Sequence, residues 1–143
     1  MSVSYILTTK GHDVVTVHLQ NTLGEIVKIL VERGIGAVVV TGPSREVLGI
    51  LSERDVVRAV AGDGAQALDH VVATHMTSKV ILGNGDMSVT EAMEHMTQGR
   101  FRHLPIVENG VLCGLVSIGD IVKHRLAEIE GESKALREYI TTA

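Results

Sequence analysis

Short unbroken apolar runs alternate along this chain with longer stretches whose apolar positions recur every three or four residues, and the alternation happens twice. Val14 to Leu19 is β-branched and predicts a strand. Thr22-Leu23-Gly24-Glu25 then has the form of a capping box. Leu23, Ile26, Val27 and Leu30 follow at helical spacing, and Gly34 should end that helix. Gly36 to Val40 is continuously apolar, as expected of a strand buried on both faces. Gly42-Pro43-Ser44 is turn chemistry, after which Val47 to Leu51 predicts the return strand. Ser52 opens a helix to about Ala61, before the Gly62-Asp63-Gly64 break.

The second half repeats the plan. Val80 to Leu82 predicts a weak strand, and Ser88-Val89-Thr90-Glu91 is a second capping box. His103 to Val107 and Val111 to Val116 are strands joined by a tight turn at Glu108-Asn109-Gly110, and Ser117 opens a helix to about Ile129. Ser88 follows Thr22 by 66 positions (88 − 22), and Gly114 follows Gly49 by 65 (114 − 49), because the second turn is one residue shorter. The organisation is therefore α/β (α+β), two β-α-β-β-α repeats. The first repeat spans residues 1–64 and a linker 65–75. The second spans 76–130, and 131–143 is a polar tail with at most a short helix. Residues 1–12 read as polar and mixed, with a turn at Lys10-Gly11.

One stretch recurs nearly intact: Gly49-Ile50-Leu51-Ser52-Glu53-Arg54-Asp55 and Gly114-Leu115-Val116-Ser117-Ile118-Gly119-Asp120. The aliphatics end a buried strand. The serine hydroxyl can accept from free N–H groups of the following helix, and the aspartate faces the positive end of its dipole. A glycine before such a strand end permits close approach of another backbone or a ligand. Ser-x-x-Asp is also a capping-box variant, so each motif has a purely structural reading.

Composition narrows the functions. A formal charge of −4 argues against a nucleic acid polymer as main partner. Tyr5, Phe101 and Tyr139 are the only aromatics, so no base-stacking platform is expected. Cys113 has no partner within the chain and lies in an apolar run, which fits a reducing cytoplasm. Neither a basic-then-apolar leader nor an apolar run of membrane-spanning length is present, so no membrane association and a cytoplasmic location are expected.

Taken together, these marks resemble the tandem CBS-domain family, named for the repeat of cystathionine β-synthase, and within it the small stand-alone bacterial proteins made of one CBS pair. The resemblance rests on Lys10-Gly11 before Val14-Val15-Thr16-Val17, on residues 49–55, on His75-Met76-Thr77, on Arg100 to Val107, and on Val116 to Asp120. It implies two repeats packed through their sheets as one pseudo-two-fold pair, a homodimer of such pairs, and clefts that take an adenosyl ligand: AMP, ADP, ATP, S-adenosylmethionine or NAD. No cofactor is required. By the same resemblance Asp55 and Asp120 hold ribose hydroxyls, and Ser52 and Ser117 reach ribose or phosphate. Arg102 and His103 contact phosphate, with Arg54 as a further candidate. Backbone groups of Ala37, Val38, Leu104 and Pro105 meet the adenine edge.

The chain also departs from the family pattern. Leu82 stands where threonine is common, Gly83 for an apolar residue and Gly85 for a proline, while Gly36-Ala37 replaces the basic pair in the first repeat. Two unequal sites are expected. No His-x-x-x-His pair or cysteine cluster supports a metal. No nucleophile–base pair, carboxylate dyad or Walker loop supports catalysis, so the chain is not expected to be an enzyme. The expected function is an adenine-nucleotide-binding regulatory module, an energy or redox-state sensor acting on an unidentified partner. A ligand-free dimerisation scaffold and a partner-inhibiting subunit are the other readings.

Overall fold

The computed structural model describes residues 1–142, so Ala143, the end of the tail read as 131–143, lies outside the described residues. The elements run α1 (Val3–Lys10), β1 (Thr16–Val17), α2 (Leu23–Arg33), β2 (Ala37–Thr41), β3 (Val47–Ser52) and α3 (Glu53–Asp63). After a 3-10 turn (Gly64–Asp69) come α4 (Val72–His75), α5 (Val89–Gly99), β4 (His103–Glu108), β5 (Val111–Ser117) and α6 (Ile118–Thr142). Local chemistry sets most boundaries. Thr22 and Glu25 exchange both halves of the capping box, and α2 stops at Gly34 in the left-handed conformation.

β1 runs parallel to β2, which is antiparallel to β3; β4 and β5 form a separate antiparallel pair. The strand expected over Val80–Leu82 does not form. A single parallel bridge, Gly83 to Ile106, takes its place, with Gly83 N–H donating to the Pro105 carbonyl at 2.9 Å. A Cβ at Gly83 would come within 2.9 Å of Ile106 Cδ1. The chain can approach β4 closely there only because the side chain is missing. The Val14–Leu19 strand is likewise shorter than expected, reduced to Thr16–Val17.

Two cores result, and the chain crosses between them. The first joins Leu23, Ile26, Val38, Val40 and Leu51 to Ala67 and Val72 from the inter-repeat segment. The second joins Met96, Leu104, Ile106, Val116 and Ile121 to Val3, Ile6 and Leu7 of α1. The stretch 1–12 is thus built around the helix Val3–Lys10 and is not a polar lead-in. At eight residues α1 is too short to persist alone. Burying three aliphatic side chains at about 1.5–3 kcal/mol each outweighs that deficit. The inter-repeat segment is equally structural, since Ala67 and Val72 are fully buried. α6 continues to Thr142 instead of ending near Ile129, because one Gly131 costs a helix only about 1 kcal/mol and no proline follows.

A candidate anion-binding cleft between the repeats

Gly49 explains how the halves join. A Cβ there would meet Met76 Sδ at 2.5 Å and the Thr77 carbonyl at 2.9 Å. Ile50 and Thr77 exchange both backbone hydrogen bonds, at 3.0 and 2.9 Å. The close approach permitted by the glycine is therefore taken by backbone. This pairing lays the segment after α4 beside the start of α3, and the two form walls of a cleft of about 300 Å³. That is the lower end of the range of small-molecule sites.

The cleft takes residues from both repeats. Ser52, Arg54, Asp55 and Arg58 come from the β3–α3 junction, Lys79, Val80 and Ile81 from the segment after α4, and Arg100 to His103 from the entry to β4. Five cations (Arg54, Arg58, Lys79, Arg100, Arg102) face two carboxylates, Glu53 and Asp55, in a chain whose net charge is −4. Only Arg58 reaches a carboxylate, Asp55 Oδ1 at 3.7 Å; among the described residues the other four cations have no ion pair. Such a concentration of uncompensated positive charge suits an anion. The basic pair Arg102-His103 thus shares its cleft with Asp55 of the first repeat, although all three were expected from motifs read repeat by repeat. Lys79, Arg58 and Arg100 were missed, because a solvated side chain and a cleft-lining one look alike in sequence.

Arg100 carries a further signal. It caps α5 at φ 55°, where the equivalent residue of the first repeat is Gly34 at φ 61°. An arginine in that conformation costs about 1–2 kcal/mol that glycine would not. His103 lies at the seam of the repeats, its Cε1 3.7 Å from where a Gly36 Cβ would stand. Burial, reinforced by Lys10 and Arg102, pushes its imidazole below the ordinary value despite Glu53 and Asp120. It is accordingly neutral near pH 7.

Both Ser-x-x-Asp motifs form the helix caps. Asp55 Oδ2 accepts from the Ser52 N–H at 2.8 Å, and Asp120 Oδ2 from the Ser117 N–H at 2.8 Å. Capping uses one oxygen of each carboxylate. The two differ in what else they hold. Lys10 Nζ donates to Asp120 Oδ2 and to the Leu115 carbonyl, both at 2.6 Å. Burial alone would raise the Asp120 carboxyl, but Lys10 and the Ser117 N–H outweigh it and hold it below its ordinary value. Neither Asp120 nor Ser117 lines the cleft of Asp55.

Ala37, Val38, Leu104 and Pro105 are buried within the strand ladders and do not line this cleft. The Pro105 carbonyl already accepts from Gly83. Of the histidines, His70 Nδ1 and His75 Nε2 lie 2.9 Å apart, near Asp63. Their ring centroids are 5.2 Å apart with planes within 5°. That separation exceeds the N···N distance by the two ring radii, so the rings meet end to end in one plane as an N–H···N hydrogen bond. Their ring nitrogens point at each other instead of converging on an ion.

Known proteins place this architecture. A crystal structure of a CBS-domain containing protein from Agrobacterium tumefaciens is 48% identical, with a TM-score of 0.85 over 87% of this chain and 99% of that one. A mitochondrial CBS domain-containing protein of Arabidopsis thaliana is 33% identical over 84% of this chain, which spans only 60% of that protein. A CBS domain protein from Pyrobaculum aerophilum, complexed with AMP, is 28% identical with a TM-score of 0.75, over 84% of this chain and 89% of that one. The sequence model of the CBS domain matches residues 3–62 and again 70–127, and the chain belongs to the CBS-domain family as a tandem pair of its repeats.

Proposed function

We propose that this chain is a non-catalytic regulatory module that binds an adenine nucleotide in the cleft between its repeats and reports occupancy through a homodimer to a regulated partner. The observation that carries the reading is the meeting, in one cleft, of Asp55 with four cations that have no ion pair. Asp55 Oδ1, left over from capping, accepts from the ribose hydroxyls; Arg102, Arg54, Arg100 and Lys79 take the phosphate. Arginine can do so with paired charge-assisted hydrogen bonds. Val80, Ile81 and Phe101 offer apolar surface for the base. The AMP bound to the Pyrobaculum relative supports this ligand class. Because the cations that have no ion pair gather in the cleft of Asp55, which Asp120 does not line, the Asp55 cleft is the stronger site.

A ligand that prefers one arrangement of the repeats shifts its population, and the partner responds to that shift. Calorimetric titration of wild type, Arg102→Ala and Asp55→Ala with AMP and with adenosine tests the assignment. Arg102→Ala should weaken AMP by about 1.5–3 kcal/mol and leave adenosine nearly unchanged. Asp55→Ala should weaken both. Equal losses for both ligands in Arg102→Ala would make that residue a shaper of the pocket. No binding of AMP, ADP, ATP or NAD by wild type would favour a ligand-free scaffold.

A further inference from the structure

Beyond Ile121 the long helix α6 presents a second apolar stripe that the other described residues leave largely exposed. Val122, Leu126, Ile129, Leu136 and Ile140 are each between 50% and 65% exposed. With Ser133 included, their spacing is four, three, four, three and four residues, which is the heptad seam of a coiled coil. Leu126, Ser133 and Ile140 take the a positions, and Val122, Ile129 and Leu136 the d positions. A mixed-charge surface helix with no partner would not need so regular a seam.

The flanking charges identify the partner. Position e holds Lys123, Glu130 and Arg137, and position g holds Arg125, Glu132 and Tyr139. If a second copy of α6 lies parallel and in register, Arg125 meets Glu130 of that copy and Glu132 meets Arg137, each pair occurring twice by symmetry. An antiparallel alignment of the same seam would set Glu130 against Glu130 and Lys123 against Arg137. Like charges disfavour that alternative. Ser133, a polar residue at an a position, adds preference for its own counterpart.

We propose that two copies of this chain pair through a parallel, in-register coiled coil of α6, with residues 122–140 forming the seam. This does not rest on the nucleotide reading and goes beyond dimerisation as such, because it fixes which helix pairs and in which direction. The test uses the full chain carrying Cys113→Ser, so that the only thiol is the one introduced. Ser133→Cys should form a disulfide-linked dimer rapidly under mild oxidation, since residue 133 then faces itself across the seam. Lys134→Cys, one position round the helix, should not. Leu126→Glu with Leu136→Glu should convert the dimer to a monomer in light-scattering mass measurement. Both sites are exposed in the single chain, so its fold should persist, checked by circular dichroism. A dimer that survives this double change, or one whose Ser133→Cys form does not cross-link, would overturn the parallel seam. A wild type that is monomeric at all concentrations would overturn dimerisation as well.

Discussion

Replacing Lys10 with Met tests how the second repeat is held. The substitution keeps most of the apolar stem, which covers neighbouring surface, and removes the ammonium. Two contacts are lost, to Asp120 Oδ2 and to the Leu115 carbonyl, both at 2.6 Å. A charge-assisted hydrogen bond contributes about 1.5–3 kcal/mol when well buried. Here the lysine side chain is 35% exposed and the aspartate 22%, so screening takes the value toward the lower figure of surface pairs. Asp120 also keeps the Ser117 N–H, so the carboxylate is not orphaned. The net loss should be about 1–2 kcal/mol, or a fall of roughly 4–8 °C in Tm for a chain this size.

The sign of the pH dependence follows from Asp120. Its folded carboxyl lies below the ordinary 3.8, so the stability it contributes is present above that value and is lost as pH falls through the folded one. Urea denaturation followed by far-UV circular dichroism suits a chain without tryptophan. Wild type should exceed Lys10→Met at pH 7, with the gap closing as pH falls below the ordinary 3.8. Equal midpoints at pH 7, or a gap undiminished in acid, would refute the account of this ion pair.

Arg100→Gly should stabilise the fold by about 1 kcal/mol by relieving its left-handed cap, while weakening AMP; a loss of stability would show that the cap is not strained. AMP binding near pH 6.5 should take up more protons in wild type than in His103→Asn, because a phosphate facing His103 raises an imidazole that burial holds low. Comparing binding enthalpies in buffers of different ionisation enthalpy measures this directly. Without ligand, stability should be highest above the ordinary 6.5 and decline as pH falls toward the lower folded value, since the unfolded chain protonates first.

The elements whose boundaries are set locally were legible in the sequence. Thr22 and Ser52 cap through residues three positions away, Gly34 and Asn109-Gly110 turn the chain through their own backbone preferences, and the strands of each hairpin carry their own apolar runs. The doubling of the Ser-x-x-Asp stretch likewise exposed the repeat, because internal similarity needs no coordinates. α1 escaped notice since its stability comes from Gly114 and the second core, about a hundred residues away in the chain. The same limit applies to chemistry. Asp55 was legible as one of a pair with Asp120, but nothing local distinguishes the two. Only the fold sets Lys10 on one carboxylate and brings Arg102, Arg100 and Lys79 around the other. Capping and turn formation are decided within a few bonds, whereas the charge of a cleft depends on which distant segments the two cores pull together.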